Sequence, residues 1–107
     1  MTEFRESDFC LCVEPRTGLP VSFKDHDGTV SGSFDETNVG LDHLALSVAD
    51  RAELEGWLAW MDQHDVPHSD ITETDLGHHL NFRAPDNIAI ELFAIKAHVA
   101  EAIGLRN

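Results

Sequence analysis

Residues 8–13 (DFCLCV) place apolar side chains at alternate positions, and Glu14-Pro15-Arg16-Thr17-Gly18 then supplies turn residues. The pattern predicts a strand whose hairpin partner returns over residues 19–24. Residues 25–38 are rich in Asp, Gly, Ser and Thr with little apolar periodicity, which predicts a loop crossing between two halves of a domain. Alternation resumes over residues 40–48, with Leu44, Leu46 and Val48 on one face and His43, Ala45 and Ser47 on the other. Asp50 and Glu53 then stand at the spacing of a helix N-cap and its capping-box partner. Leu54, Trp57, Leu58 and Met61 recur at helical spacing until Pro67 stops continuation, so an amphipathic helix over about residues 50–64 is expected, with Trp57 in the core. Trp60 lies off that stripe and is expected at an interface or sheet edge. Strands are predicted over residues 67–72, 77–83 and 88–95, separated by Glu73-Thr74-Asp75 and by the turn Ala84-Pro85-Asp86-Asn87. Residues 96–105 suit a short terminal helix. The order from residue 40 is β-α-β-β-β after a hairpin: an α+β domain with five or more strands in a curved, mixed, mainly antiparallel sheet.

A chain of 107 residues fits a single domain with one modest core. No apolar stretch approaches the roughly 18 residues of a membrane span, and MTEFRESDFC lacks a basic segment followed by an apolar one. A cytoplasmic protein is therefore expected. The formal charge of −13 is spread along the chain, repels phosphate backbones and argues against nucleic acid, while favouring solubility or a cationic small molecule. Cys10 and Cys12 would share one strand face and are read as reduced, packed thiols, because no second cysteine pair completes a thiolate metal site.

Strand parity also sorts the polar residues. If Leu44, Leu46 and Val48 face the helix, His43 faces away, and so does Glu91 between Ile90 and Leu92. Leu80 and Phe82 under the helix leave His79, Asn81 and Arg83 on the cleft side beside Glu91. His78 has the wrong parity for the cleft. His26, His64, His68 and His98 fall in loop, helix-end or tail positions and are expected to be solvated.

The segment GLDHLALSVADRAELEGWLAWMDQHDVPHS, followed by NFRAPDNIAIELFA, resembles the second module of the glyoxalase, bleomycin-resistance and extradiol dioxygenase family, the vicinal oxygen chelate group. The features are a His in the first strand, an Asp-Arg-Ala-Glu-Leu helix start, a V-P-H strand and a final I-E-L-F strand. FCLCVEPRTGLPVSF resembles the last hairpin of the family's first module. The resemblance implies a truncated domain: residues 1–39 a remnant of the first module and crossover loop, 40–95 a complete βαβββ module, and 96–107 a tail or short helix. The first strand, helix and strand of the full domain would be lacking, and a homodimer would cover the edge and apolar cleft so exposed. Ser22 stands where many metal-binding members carry an acid, and Asn87 where they carry a turn glycine. His43 and Glu91 fall at the two ligand positions of the second module for a divalent iron, manganese, nickel or zinc ion, with Glu91 also the catalytic candidate and His79 a third ligand. Ser47, Asn81 and Arg83 would line the substrate pocket. The alternative is that no metal binds and His43 simply hydrogen-bonds Glu91.

No nucleophile elbow, P-loop, dinucleotide fingerprint or HExxH segment is present, which argues against hydrolase, kinase and nicotinamide-dependent readings. Two function classes remain: a metal-dependent lyase, isomerase or dioxygenase acting on a small oxygen-rich molecule, and a metal-free protein that sequesters a small molecule. A paralogue that only dimerises is a third. The scaffold hosts many chemistries and does not choose among them.

Overall fold

The computed structural model describes residues 2–5 and 8–105. It divides into two compact units, Met1–Gly32 and Ser33–Asn107. The first is a three-stranded antiparallel sheet in the order β1-β2-β3, formed by Thr2–Arg5, Phe9–Val13 and Pro20–Lys24. The expected hairpin is β2–β3, registered from Phe9 opposite Lys24 to Val13 opposite Pro20. Strand β1 was not expected: TEFR has a single aromatic among charges, and it is a strand because it pairs with β2. Cys10 and Cys12 are free thiols, with Sγ atoms 3.9 Å apart.

The second unit carries the βαβββ order: β4 (Leu44–Ser47), helix α1 (Arg51–Gln63), β5 (Thr72–Glu73), β6 (Gly77–Arg83), β7 (Ala89–Ile95) and helix α2 (Ala97–Ala102). The sheet runs β4-β7-β6-β5, with β4 parallel to β7 and the other pairs antiparallel. First and last strands of the module are thus neighbours. Helix α1 packs on β6 and β7 through Leu54, Met61, Leu80, Leu92 and Ala94, with Leu46, Val48, Leu58 and Phe82 around them. Leu54 and Leu80 are fully enclosed, each stabilising the fold by about 1.5–3 kcal/mol through burial.

Both ends of α1 follow from local chemistry. Asp50 Oδ1 accepts from the Glu53 amide at 2.9 Å, while the Glu53 carboxylate reaches back to the amide of Ala49, 2.6 Å away. The reciprocal bond therefore lands one residue before the cap. At the other end Asp65 takes a left-handed φ of 55°, and Val66 N–H returns to Met61 C=O at 2.8 Å, closing a Schellman motif.

Three expectations are corrected. The strand expected over residues 40–48 is regular only at Leu44–Ser47. Its partner β7 starts at Ala89 just after the Asn87 turn, so residues 40–43 run past the end of the ladder. The strand expected over residues 67–72 reduces to a bridge between His68 and Phe82 and to the two-residue β5. There Asn81 N–H donates to Ser69 Oγ at 3.0 Å, a side chain substituting for a ladder carbonyl. Trp57 is 41% exposed instead of buried. The inward stripe of α1 is narrower than the apolar pattern, and Trp57 lies on its flank in an edge-on contact with Trp60, 5.9 Å away. Trp60 in turn stacks on His64 at 4.0 Å.

Candidate functional site

The alternation of β6 and β7 decides which side chains leave the core. With Leu80 and Leu92 beneath the helix, Asn81 and Glu91 sit opposite one another on the other face, and Ala45 of β4 is the parallel neighbour of Glu91. His43, one residue before β4, points back to Glu91: its Nε2 lies 3.3 Å from Glu91 Oε2.

That contact belongs to a longer chain. Asp42 Oδ2 accepts from His43 Nδ1 at 2.7 Å. On the far side of the carboxylate, His79 Nδ1 donates to Glu91 Oε1 at 2.8 Å, and His79 Nε2 meets Thr74 Oγ1 at 2.8 Å. The His79 ring also lies against Phe93, with centroids 4.9 Å apart. Glu91 and His79 are largely enclosed, at 14% and 18% side-chain exposure, whereas His43 is 41% exposed. Asp42 raises the His43 pKa above its ordinary value through a direct hydrogen bond, burial opposes this, and the charge of Glu91 adds to it. His43 is thus held toward its protonated form between two carboxylates. The link between His43 and Glu91 is the longest in the chain.

A recess of about 630 Å³ opens over this floor. Asp42, His43, Asn81, Arg83 and Glu91 line it together with Glu36, His68 and Ser69, and Pro67, Phe82 and Ile90 supply apolar wall. His79 lies behind Glu91 and Ser47 lies outside the lining, so the structure gathers His43, Asn81, Arg83 and Glu91 of the expected set.

Arg83 forks onto Glu36, donating to both carboxylate oxygens at 2.9 Å and also to the Asn87 carbonyl at 2.9 Å. The guanidinium lowers the Glu36 pKa to about 2. His68, expected to be solvated, is instead only 12% exposed. Its Nδ1 meets the Ser69 carbonyl and its Nε2 meets Asp62 Oδ1, both at 2.6 Å. The Ser69 carbonyl, followed by Asp62, raises its pKa, since a ring with acceptors on both nitrogens favours the imidazolium. His26, His64 and His98 are exposed as expected. His78 lies 3.9 Å from Glu73, away from the recess.

Asp42, Glu36 and His68 were missed from the sequence. An acid directly before His43 was a readable signal for Asp42. Glu36 stands 47 residues from Arg83, and His68 is held by Asp62 across the helix end, so neither carries a periodic signal.

The donor set can be tested against a divalent ion. His43 Nε2, from the residue before β4, and Glu91 Oε2 of β7 converge, and each is oriented by an outer partner, Asp42 and His79. His79 has both nitrogens engaged, and no group of three His, Cys, Asp or Glu converges on a metal position among the described residues. A facial site needs three protein donors. Among the described residues only His43 and Glu91 converge here, so these two alone do not make up such a centre.

No family model and no curated protein matches the chain. Among solved structures it resembles the glyoxylase/bleomycin resistance protein/dioxygenase domain from Frankia sp. EAN1pec, at 32% identity and a TM-score of 0.75, over 90% of this chain and 76% of that one. A glyoxalase candidate from Bacillus halodurans matches with a TM-score of 0.65 at 17% identity, over 87% and 74% of the two chains. Lactoylglutathione lyase from Agrobacterium tumefaciens matches with a TM-score of 0.60 at 13% identity, over 86% and 73%. These last two share the fold.

Proposed function

The chain belongs to the glyoxalase/bleomycin resistance protein/dioxygenase family, and from that premise we propose that it binds a small oxygen-rich molecule in the recess over β6 and β7, beside Asp42 and His43. The observation that carries this reading is the 3.3 Å gap between His43 and Glu91, set in a chain whose other links are 2.7–2.8 Å. A ligand lying over this pair accepts from His43 Nε2–H through one oxygen and donates a hydroxyl to Glu91 Oε2, loosening a contact already longer than its neighbours. Asp42 and His79 keep both groups aimed while the guest enters. Arg83 and Asn81 contribute polar wall, and Phe82 and Ile90 the apolar contact that excludes water. In this reading the protein is a metal-free binder, of the kind that sequesters a small molecule.

A second reading is favoured by the outer partners of the same pair. Asp42 on the imidazole and His79 on the carboxylate are what metal ligands require behind them. His43 and Glu91 would then be two ligands of an iron, manganese, nickel or zinc ion, and a homodimer partner or the ligand itself would furnish the rest. The ion would supply electrophilic stabilisation to adjacent ligand oxygens, which is where a lyase, isomerase or dioxygenase activity would arise, with Glu91 as the catalytic carboxylate. Exposed Val39, Leu41, Leu44 and the outer edge of β4 support the dimer. No helix among the described residues is long and apolar enough to cross a membrane, and two free thiols suit the reducing cytoplasm.

Amide NMR spectra test the first reading by titration with small hydroxy and oxo compounds. Shifts centred on His43, Asn81 and Glu91, and lost in His43→Ala and Glu91→Gln, are expected; shifts that survive both substitutions refute it. Calorimetric titration with Zn²⁺, Mn²⁺, Ni²⁺ and Fe²⁺, run beside sedimentation, tests the second. Stoichiometric uptake abolished by either substitution supports the metal, and its absence from a dimeric sample for all four ions alike, with and without a small hydroxy acid present, rules it out.

A further inference from the structure

The recess contains a second polar centre that the His43–Glu91 floor does not use. Arg83 presents its planar fork to Glu36 with two bonds of 2.9 Å, the arrangement in which a guanidinium recognises a carboxylate. The segment carrying Glu36 is fastened independently of that pair. Phe34 N–H donates to the Asp86 carbonyl at 2.7 Å, and Asn87 Nδ2 donates to the Phe34 carbonyl at 3.0 Å. The Glu36 side chain, one-third exposed, can therefore swing into solvent without releasing its backbone anchor. Arg83 keeps its bond to the Asn87 carbonyl, so the fork stays aimed when Glu36 leaves.

We propose that Arg83 is a carboxylate-binding site for the ligand, and that Glu36 is an internal carboxylate which occupies the fork until an external one displaces it. Spacing then names the ligand class. Arg83 and Asn81 are two residues apart on one face of β6, hence roughly 6–7 Å apart, and Asn81 is the cross-strand partner of Glu91. A short carboxylic acid bearing a second oxygen a few atoms away reaches from the fork to the His43–Glu91 gap. The class is a small hydroxy or oxo carboxylate. Placement of that second oxygen rests on the function proposed above; the carboxylate end does not.

The test uses lactate as the charged probe and lactamide as its neutral counterpart, titrated calorimetrically into the wild-type chain and into Glu36→Gln, Arg83→Gln and His43→Ala. Lactate is expected to bind Glu36→Gln at least about tenfold more tightly than wild type, since a charge-assisted pair no longer competes. Lactamide affinity should be indifferent to that change, and Arg83→Gln should lose lactate binding. Because Glu36→Gln also touches the anchored segment, the Arg83 Nε–H resonance is followed in parallel and must shift with lactate. Equal lactate affinity in wild type and Glu36→Gln, undiminished binding to Arg83→Gln, or no binding to Glu36→Gln at tens of millimolar overturns the inference. Lactate binding that needs Arg83 but survives His43→Ala leaves the anion site standing and refutes the floor reading. Loss of binding in His43→Ala with no effect of either Arg83→Gln or Glu36→Gln does the reverse.

Discussion

His79 Nδ1 lies 2.8 Å from Glu91 Oε1, with both side chains more than four-fifths enclosed. The imidazole thereby fixes a carboxylate whose other oxygen faces the recess. Removing it by His79→Ala leaves a mostly buried acceptor short of a partner, which is expected to cost about 1–3 kcal/mol. Glu91→Gln, whose amide oxygen still accepts from His79, should cost less. Urea unfolding midpoints of both variants measure the difference, and a His79→Ala midpoint equal to wild type would show that the bond does not hold the carboxylate.

The protonation of His43 gives the site a pH dependence of defined sign. Its folded pKa is raised above the ordinary 6.5 by the Asp42 hydrogen bond, against burial and with help from Glu91. A raised value means that this contribution to stability is complete below 6.5 and is lost as pH rises through the folded pKa. If His43 served as a metal ligand, uptake would run the opposite way, because a coordinating imidazole must first lose its proton. NMR titration of the His43 ring should show a pKa that falls toward 6.5 in Asp42→Asn. An unchanged titration in that variant removes Asp42 as the cause.

The α1 stripe and the alternation of β6 and β7 were legible in the sequence because one buried face imposes a strict period, and that period also assigned His43, His79, Asn81 and Glu91 to one face. What escaped was whatever depended on a partner distant in the chain. Strand β1 exists through its pairing with β2, Glu36 meets Arg83 through the crossover loop, and the strand expected over residues 67–72 is interrupted where Ser69 Oγ takes the place of a carbonyl opposite Asn81. Trp57 failed for another reason: a hydrophobic side chain at helical spacing satisfies the pattern whether it sits at the middle or the margin of the stripe.

Gly77 opens β6 where no side chain fits. A Cβ added there would collide with the Ala94 carbonyl oxygen and stand 2.6 Å from the Phe93 ring. The backbone oxygen belongs to the ladder with β7 and yields only by breaking it. Gly77→Ala should therefore destabilise the second unit by ~2–3 kcal/mol, an overpacking cost in a close-packed interior. It should also disturb the ring of Phe93, on which His79 rests. Thermal unfolding within about one degree of wild type would contradict this approach.

Both helices close in the same way, one through Gly104 and the other through Asp65. Leu105 N–H reaches the Ala100 carbonyl at 2.9 Å beside Gly104 at φ 74°, as Val66 reaches Met61 beside Asp65 at φ 55°. Asp65 is unfavourable on two counts, since an L-residue is strained in the left-handed region and an acid sits at the negative end of the helix dipole. No basic residue occupies the last turn of α1 to offset it. The two counts separate by substitution. Asp65→Asn removes the charge while keeping tolerance of left-handed φ, and should stabilise by about 0.3–1 kcal/mol. Asp65→Gly removes the strain as well, for ~0.5 kcal/mol more after the entropy of a freer unfolded chain is subtracted. Asp65→Ala loses the charge but keeps a worse strain, so it should fall below Asn by ~0.5–1 kcal/mol. Urea unfolding of the three variants should thus rank Gly above Asn above Ala, and equal midpoints for Asn and Ala would mean that the left-handed turn after α1 is not what limits this end of the helix.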